Sequence, residues 1–175
     1  MTAPETTGVI GRGLADGFLD EHEIRRIVRE ASASMDVSGR RVLCLIPDGT
    51  RTMPMPLMFR LLREEIGSRA AAFDFLVALG THMPMTDEQL GRLVGQPVDG
   101  GRAGATQIFN HHWEQPGTFV TLGMIPAAET AALTGGRLAE DVPVALNRLI
   151  LDYDHLMVCG PVFPHEVVGF SGGSK

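Results

Sequence analysis

The sequence contains few of the residues that build several common classes of protein. Among its 175 residues are two cysteines, one tryptophan and one tyrosine. No apolar run approaches the ~18 residues that a membrane helix needs. The first residues also lack a basic stretch followed by an apolar one, so no secretory signal is recognised. We therefore expect neither a membrane protein nor a secreted one.

The two cysteines, Cys44 and Cys159, each lie within an apolar run and form no CxxC pair. A zinc knuckle or a thioredoxin-type redox site is therefore unsupported. We interpret both as buried, reduced thiols that pack as small hydrophobic side chains. Reduced cysteines are typical of the cytoplasm, which is the expected location.

Basic residues are scarce as well. Fifteen lysines and arginines stand against 21 aspartates and glutamates, and the net charge is −6. A non-specific nucleic-acid binder needs a basic face, so we expect no nucleic-acid partner. A small anionic ligand is compatible with this balance, because the local charge matters more than the sum.

The pattern of apolar residues predicts an α/β fold. Residues 41–46 and 73–79 are short apolar runs typical of strands buried on both faces, and a helix from Pro54 or Pro56 to Ile66 separates them. This order is a βαβ unit with parallel strands. Further predicted elements are a helix after Asp20, a helix from Thr86 to Gly95, a short helix at 148–153, and strands at 106–109, 118–125, 142–147 and 155–159. We expect a single domain over residues 1–175, with a mostly parallel, Rossmann-like sheet flanked by helices.

Three polar segments follow predicted strands and are candidates for chemistry. They are residues 48–51, residues 80–82 and residues 165–175. Because the carboxyl ends of parallel strands meet at one edge of a sheet, we expect these segments to converge there.

Within these segments several side chains suit a small anionic substrate. Arg51 suits a carboxylate or phosphate clamp, and the alternative is a surface pair with Asp48. Asp48 and Thr50 are equally typical of a plain turn. His82 and His165 suit general acid/base work near neutral pH, and two such groups on opposite faces of one carbon are what stereoinversion requires.

The chain ends in a glycine-rich segment, residues 169–175, that resembles a phosphate-binding loop. It lacks the second glycine of the Walker pattern, so a Walker ATPase is a weak match. Lys175 suits a phosphate contact, or a covalent bond through its amine if desolvation lowers the pKa of that amine. The adjacent His111 and His112 are poor partners for one metal ion, because neighbouring side chains in a strand point to opposite faces.

Taken together, these segments resemble the nickel-dependent lactate racemase family. No single piece is specific, but the pieces occur in the family's order over roughly residues 41–175. The matching stretches are Asp48-Gly49-Thr50-Arg51, Gly80-Thr81-His82 with Pro84-Met85-Thr86, Asn110-His111, and Pro164-His165-Glu166 continuing through Gly169-Phe170-Ser171-Gly172-Gly173 to Lys175.

The resemblance implies a two-domain α/β enzyme, of which this chain covers most of the N-terminal domain. It implies a nickel-pincer nucleotide, a modified pyridinium mononucleotide that carries nickel, loaded by separate maturation enzymes and tethered to Lys175. His82 and His165 are then the paired acid/base groups, and Arg51 holds the substrate carboxylate. The residues expected to hold the nucleotide part are Asp48, Thr50, Ser171, Gly172 and Gly173. The nickel-ligating histidine is expected beyond Lys175, so no metal ligand is assigned within this span.

The implied reaction inverts the α-carbon of a lactate-like 2-hydroxy acid. A proton leaves the hydroxyl group, a hydride leaves the α-carbon for the cofactor, and the hydride returns to the other face of the keto acid. Met83 departs from the arginine that commonly follows Gly-Thr-His in the family, so the identity of the acid is left open.

We expect the chain to be part of a longer protein and inactive by itself, and its oligomeric state, including a homo-oligomer, is left open. Two other interpretations stand beside the racemase. One is a non-catalytic nucleotide- or phosphate-binding module that uses residues 48–51 and 169–175. The other is a degenerate family member kept for assembly with a partner chain.

Overall fold

The computed structural model describes residues 8–167 and 169–172. Its helices are α1 (Glu21–Ala33), α2 (Met55–Leu62), α3 (Asp87–Val94) and α4 (Ala127–Thr134), with short 3-10 turns at Pro116–Thr118 and Arg148–Asp152. Its strands are β1 (Arg41–Ile46), β2 (Ala72–Val77), β3 (Arg102–Ala103), β4 (Thr106–Asn110), β5 (Phe119–Ile125), β6 (Val142–Asn147), β7 (His155–Val158), β8 (Phe163–His165) and β9 (Gly169–Ser171). Among the helices of the described residues, none has the length and apolarity to cross a membrane.

Five strands form the central sheet in the order β3-β4-β2-β1-β7. β1 pairs in parallel with both β2 and β7, and β2 pairs in parallel with β4, while the two-residue β3 is antiparallel. The prediction of an α/β fold with a mostly parallel sheet is therefore confirmed. Strands β1 and β2 are the central pair because their sequences, RVLCLI and AFDFLV, are apolar on both faces.

The hydrophobic core lies between one face of the sheet and the first three helices. Alternate residues of β1, among them Val42 and Cys44, are fully buried there. Phe59 of α2 packs on Phe75 of β2 with 4.6 Å between ring centroids. The core fixes the positions of β1 and β2, and so of the loops that follow them.

Local capping chemistry sets the helix boundaries that the sequence predicted. The Asp20 carboxylate accepts the backbone N–H of Glu23 at 2.8 Å, and Thr86 and Gln89 form the reciprocal capping box at the start of α3. The predicted helix over 54–66 is present, but it ends in a wider π-helical turn at Arg63–Gly67.

Three features of the fold were not predicted. Strands β5 and β6 are present, but they pair only with each other as an antiparallel ribbon outside the main sheet. Helix α4 joins them, and its alanine-rich sequence carries no apolar stripe that would have indicated it. A hairpin of β8 and β9 follows β7, and its second strand is the start of the glycine-rich segment.

Candidate active site

The structure pairs Asp48 with His82 across neighbouring strand ends. Asp48 follows β1 and His82 follows β2, and these strands are adjacent and parallel. His82 Nδ1 lies 2.5 Å from Asp48 Oδ2. Gly80 has φ +60, and this left-handed turn lets the His82 N–H reach the Leu79 carbonyl at 3.0 Å. Of the three segments expected to converge at one sheet edge, residues 48–51 and 80–82 therefore do so.

Thr50 completes the environment of the Asp48 carboxylate. Its backbone N–H and its hydroxyl both donate to Asp48 Oδ1, at 3.0 and 2.5 Å. Burial raises the pKa of Asp48, but the hydrogen bonds from Thr50 and from His82 outweigh this and leave that pKa below its usual value. Asp48 is therefore ionised at neutral pH.

An ionised Asp48 fixes the tautomer of His82. An ionised carboxylate can accept hydrogen bonds but cannot donate them. Neutral His82 therefore carries its proton at Nδ1 and its lone pair at Nε2. The His82 side chain is 55% exposed, whereas that of Asp48 is 9% exposed. The Nε2 atom of His82 is therefore available as a base, and Asp48 orients the ring through its contact with Nδ1.

Asn110, the last residue of β4, and Trp113, just beyond that strand, hold the loop that carries His82. The side-chain amide of Asn110 accepts from the Met85 N–H and donates to the Met85 carbonyl, both at 2.9 Å. Trp113 Nε1 donates to the His82 carbonyl at 3.2 Å. Sequence reasoning missed both contacts. No role was assigned to Trp113 from the sequence, and Asn110 entered only through the family resemblance.

Two cavities border this site, and Arg51 lines both. The larger, about 610 Å³, also contains Asp48, Thr50 and His82 in its wall. The smaller, about 250 Å³, lies at the ends of β1 and β7 and includes Ser171 and Gly172. Within the described part of the chain Arg51 has no carboxylate partner, because Asp48 is engaged by His82 instead. The alternative of an Arg51–Asp48 pair is therefore wrong.

His165 lies on the β8–β9 hairpin and lines neither cavity. Its Nδ1 accepts the backbone N–H of Val167 at 3.1 Å and lies 3.8 Å from a Glu166 carboxylate oxygen. Neutral His165 therefore carries its proton at Nε2. The two histidines thus have opposite tautomers, with a lone pair at Nε2 of His82 and an N–H at Nε2 of His165.

The backbone turns tightly at Gly172 against the loop after β7. Gly172 has φ +88, and a Cβ there would lie 2.1 Å from the Pro161 carbonyl oxygen, so only glycine fits. The predicted cofactor residues Gly173 and Lys175 lie outside the described residues. Ser171, by contrast, is half-buried at the wall of the smaller cavity.

His111 belongs to a structural contact in the described part of the chain. The Asn147 amide donates to its Nδ1 at 3.0 Å, and Phe119 packs edge-on at 5.4 Å between ring centroids. Burial lowers the pKa of His111, so the ring is neutral. Over residues 8–167 and 169–172, no three His, Cys, Asp or Glu side chains are grouped as a metal site.

Comparison with known proteins identifies the family. The model of the lactate racemase N-terminal domain matches residues 20–175. The chain belongs to this family.

Two longer relatives agree with the assignment. The chain is 25% identical over 138 residues to a lactate racemase from Thermoanaerobacterium thermosaccharolyticum, covering 78% of the chain and 28% of that protein. A crystal structure of a Thermotoga maritima protein is 28% identical with a TM-score of 0.73, covering 89% of the chain and 36% of that protein. The chain therefore spans about a third of the length of these relatives.

Proposed function

We propose that the protein is a racemase or epimerase that inverts the α-carbon of a 2-hydroxy acid. The observation that carries the proposal is the Asp48–His82 pair beside Arg51, at the sheet edge of a lactate racemase family domain. A carboxylate clamp and an oriented base next to each other are the groups that binding and deprotonating a hydroxy acid require. Since the chain covers part of the length of its relatives, the activity is proposed for the whole protein.

In this proposal Arg51 binds the substrate carboxylate. Its guanidinium is planar, and no carboxylate among the described residues neutralises it, so a bidentate contact is open to the ligand. Because Arg51 lines both cavities, a carboxylate held there lies between His82 on one side and the Ser171 wall on the other.

His82 and His165 move the protons. His82 Nε2 accepts the hydroxyl proton of the substrate, and Asp48 stabilises the imidazolium that forms. Oxidation of the alcohol removes this proton and a hydride, and the reverse step restores both with the opposite configuration. His165 serves the other enantiomer. In each direction one histidine takes the hydroxyl proton as a neutral base, and the other, as imidazolium, returns a proton to the oxygen of the product.

The proposed cofactor is a nickel-pincer nucleotide attached to Lys175. The described residues fit its anionic part, since Arg51 and Ser171 border the 250 Å³ cavity. When bound, the cofactor accepts the hydride and returns it. Asp48 and Thr50 were expected to contact the nucleotide, but their side chains already bond to each other and to His82, so we assign Asp48 to the histidine. A cytoplasmic location and dependence on maturation enzymes stay predictions.

The deciding experiment measures intact mass and bound nickel on full-length protein made in a host that loads a known family member. Lys175 is the single lysine of this sequence, so a modified lysine within it is assigned without ambiguity. We expect a mass addition at Lys175 and about one nickel per chain. An unmodified Lys175 without nickel would contradict the cofactor.

Histidine variants of the loaded protein separate the racemase from a phosphate-binding module. His82→Ala and His165→Ala should each abolish racemisation while the Lys175 adduct persists. The exposed His22→Ala, on α1, is the matched control and should leave the rate unchanged. A phosphate-binding module would instead retain its affinity for inorganic phosphate in both variants and show no racemisation in the parent protein.

A further inference from the structure

Four methionine residues line the 610 Å³ cavity beside His82. We call the set Met53, Met55, Met83 and Met85 the methionine wall. Met83 directly follows His82 and is 77% exposed, whereas Met55 is buried in the core. Methionine is flexible and polarisable, so such a wall adapts to an apolar group of irregular shape.

Most polar side chains of the same cavity are already engaged, and Arg51 and the Nε2 atom of His82 are left for the ligand. Asp48 bonds to both Thr50 and His82. Gln89 accepts the Thr86 N–H in the capping box, and Arg92 pairs with Glu88. A sugar-acid side chain would find few hydrogen-bonding partners here, and Arg92, the other cation that lines the cavity, is shared with Glu88.

The cavity is also large for a three-carbon acid. Cavities of roughly 300–1,000 Å³ typically hold drug-sized ligands, and this one measures about 610 Å³. Once Arg51 holds the carboxylate and His82 faces the hydroxyl, the third substituent of the α-carbon is left for the methionine wall.

We propose that the substrate is a 2-hydroxy acid with an extended, branched aliphatic side chain, which the methionine wall receives. The proposal rests on the proposed function, and it names the substrate class of that same site. Each methylene buried against the wall raises the relative affinity by roughly fourfold. A four-carbon branched side chain is therefore preferred over the methyl group of lactate by about tenfold or more in kcat/KM.

Methionine-methyl NMR tests the binding without depending on turnover. Full-length, cofactor-loaded protein labelled at the methionine methyl groups is titrated separately with 2-hydroxy-4-methylpentanoate and with malate. Single methionine variants assign the Met53, Met83 and Met124 signals. We expect the branched acid to shift Met53 and Met83, and malate to shift them only at concentrations at least about tenfold higher. Met124, 55% exposed on β5 and outside both cavities, should not move.

A second test measures kcat/KM for the racemisation of lactate, malate and 2-hydroxy-4-methylpentanoate. We expect Met83→Gln to lower the branched-acid-to-lactate ratio of kcat/KM by roughly fourfold or more, while Met83→Leu and the control Met124→Gln keep it. Malate turnover equal to or faster than that of the branched acid would overturn the substrate class and leave the racemase standing. Methionine shifts without racemisation of any acid would support the pocket and contradict the racemase.

Discussion

The Asp48 carboxylate is the hydrogen-bond acceptor for His82 Nδ1, although 34 residues separate them in the chain. Thr50 donates two further hydrogen bonds to the other carboxylate oxygen. The Asp48 side chain is largely buried, so water competes little for the carboxylate oxygen that contacts the imidazole. Asp48 is a positioning residue that sets which nitrogen of His82 faces the substrate.

Replacing Asp48 by asparagine tests this role. Asp48→Asn preserves the shape but offers His82 either an amide oxygen or an amide N–H, so the tautomer is no longer fixed. We expect kcat to fall by about 10² to 10⁴-fold with KM changed much less. Nitrogen-15 NMR of the His82 ring should show a shift from the Nδ1–H tautomer to a mixture.

The exposed Asp36→Asn is the matched control for this substitution. It should leave both kcat and the His82 tautomer as they are. An Asp48→Asn variant with full kcat and an unchanged tautomer would show that the carboxylate does not orient His82.

Arg51 offers a separate test, because lysine retains the charge but not the fork of donors. We expect Arg51→Lys to raise KM for the 2-hydroxy acid by about tenfold or more, since the bidentate contact is lost. Steady-state kinetics over a range of substrate concentrations measures the change. Arg137→Lys, at an exposed position after α4, should leave KM unaltered. An unchanged KM in Arg51→Lys would remove Arg51 from carboxylate binding.

Asn110 is expected to matter through the loop it holds. Asn110→Ala removes both hydrogen bonds to the Met85 backbone, so the free energy of unfolding should fall by roughly 1–3 kcal/mol. A small displacement of His82 should also lower kcat by about tenfold to a hundredfold. Urea unfolding and kinetics on the same samples measure both.

The neighbouring Trp113→Phe variant separates anchoring from packing. It removes only the Nε1 donor to the His82 carbonyl and retains an aromatic ring. A kcat loss in Trp113→Phe without lost stability would assign Trp113 to positioning the loop. Full kcat in both Trp113→Phe and Asn110→Ala would contradict a role for this anchor in catalysis.

The parts of the fold that sequence predicted are those set by short-range chemistry. Strands β1 and β2 were predicted from short apolar runs, because such runs are typical of strands that are covered on both faces. Capping residues gave the starts of α1 and α3, because the donor and acceptor lie three residues apart. The parallel topology predicted that the site lies at the carboxyl ends of the strands.

What escaped prediction depends on contacts between distant residues. Strand β5 has its partner in β6 rather than in the main sheet, and no local pattern carries that choice. Asp48 suits a turn, a cation or a cofactor equally well from its sequence context, and only the adjacency of β1 and β2 brings His82 to it. The Asn110 contact with Met85 likewise requires β4 to pair with β2.

A second buried carboxylate lies toward the opposite edge of the sheet, at the start of β2. Asp74 accepts the Tyr153 hydroxyl at 2.8 Å and the Gln107 N–H at 2.7 Å. Burial, and then the hydrogen bond to Asp74, raises the pKa of Tyr153 well above its usual value. A raised pKa means that the contact stabilises the fold fully below the unfolded pKa of about 10. This stabilisation is lost as pH rises through the higher folded pKa.

Tyr153→Phe should therefore destabilise the protein at neutral pH by about 1–2 kcal/mol, because Asp74 loses one buried donor. The difference in unfolding free energy between parent and variant should shrink above a pH of about 10, where the unfolded phenol of the parent begins to ionise. Urea unfolding at neutral and alkaline pH measures this, and racemisation should be unchanged because the pair lies away from His82. Thr121→Val, which removes an exposed hydroxyl on β5, is the control and should change stability by less than about 0.5 kcal/mol at either pH. A parent-to-variant difference that stays constant across this pH range would mean that folding does not raise the pKa of Tyr153.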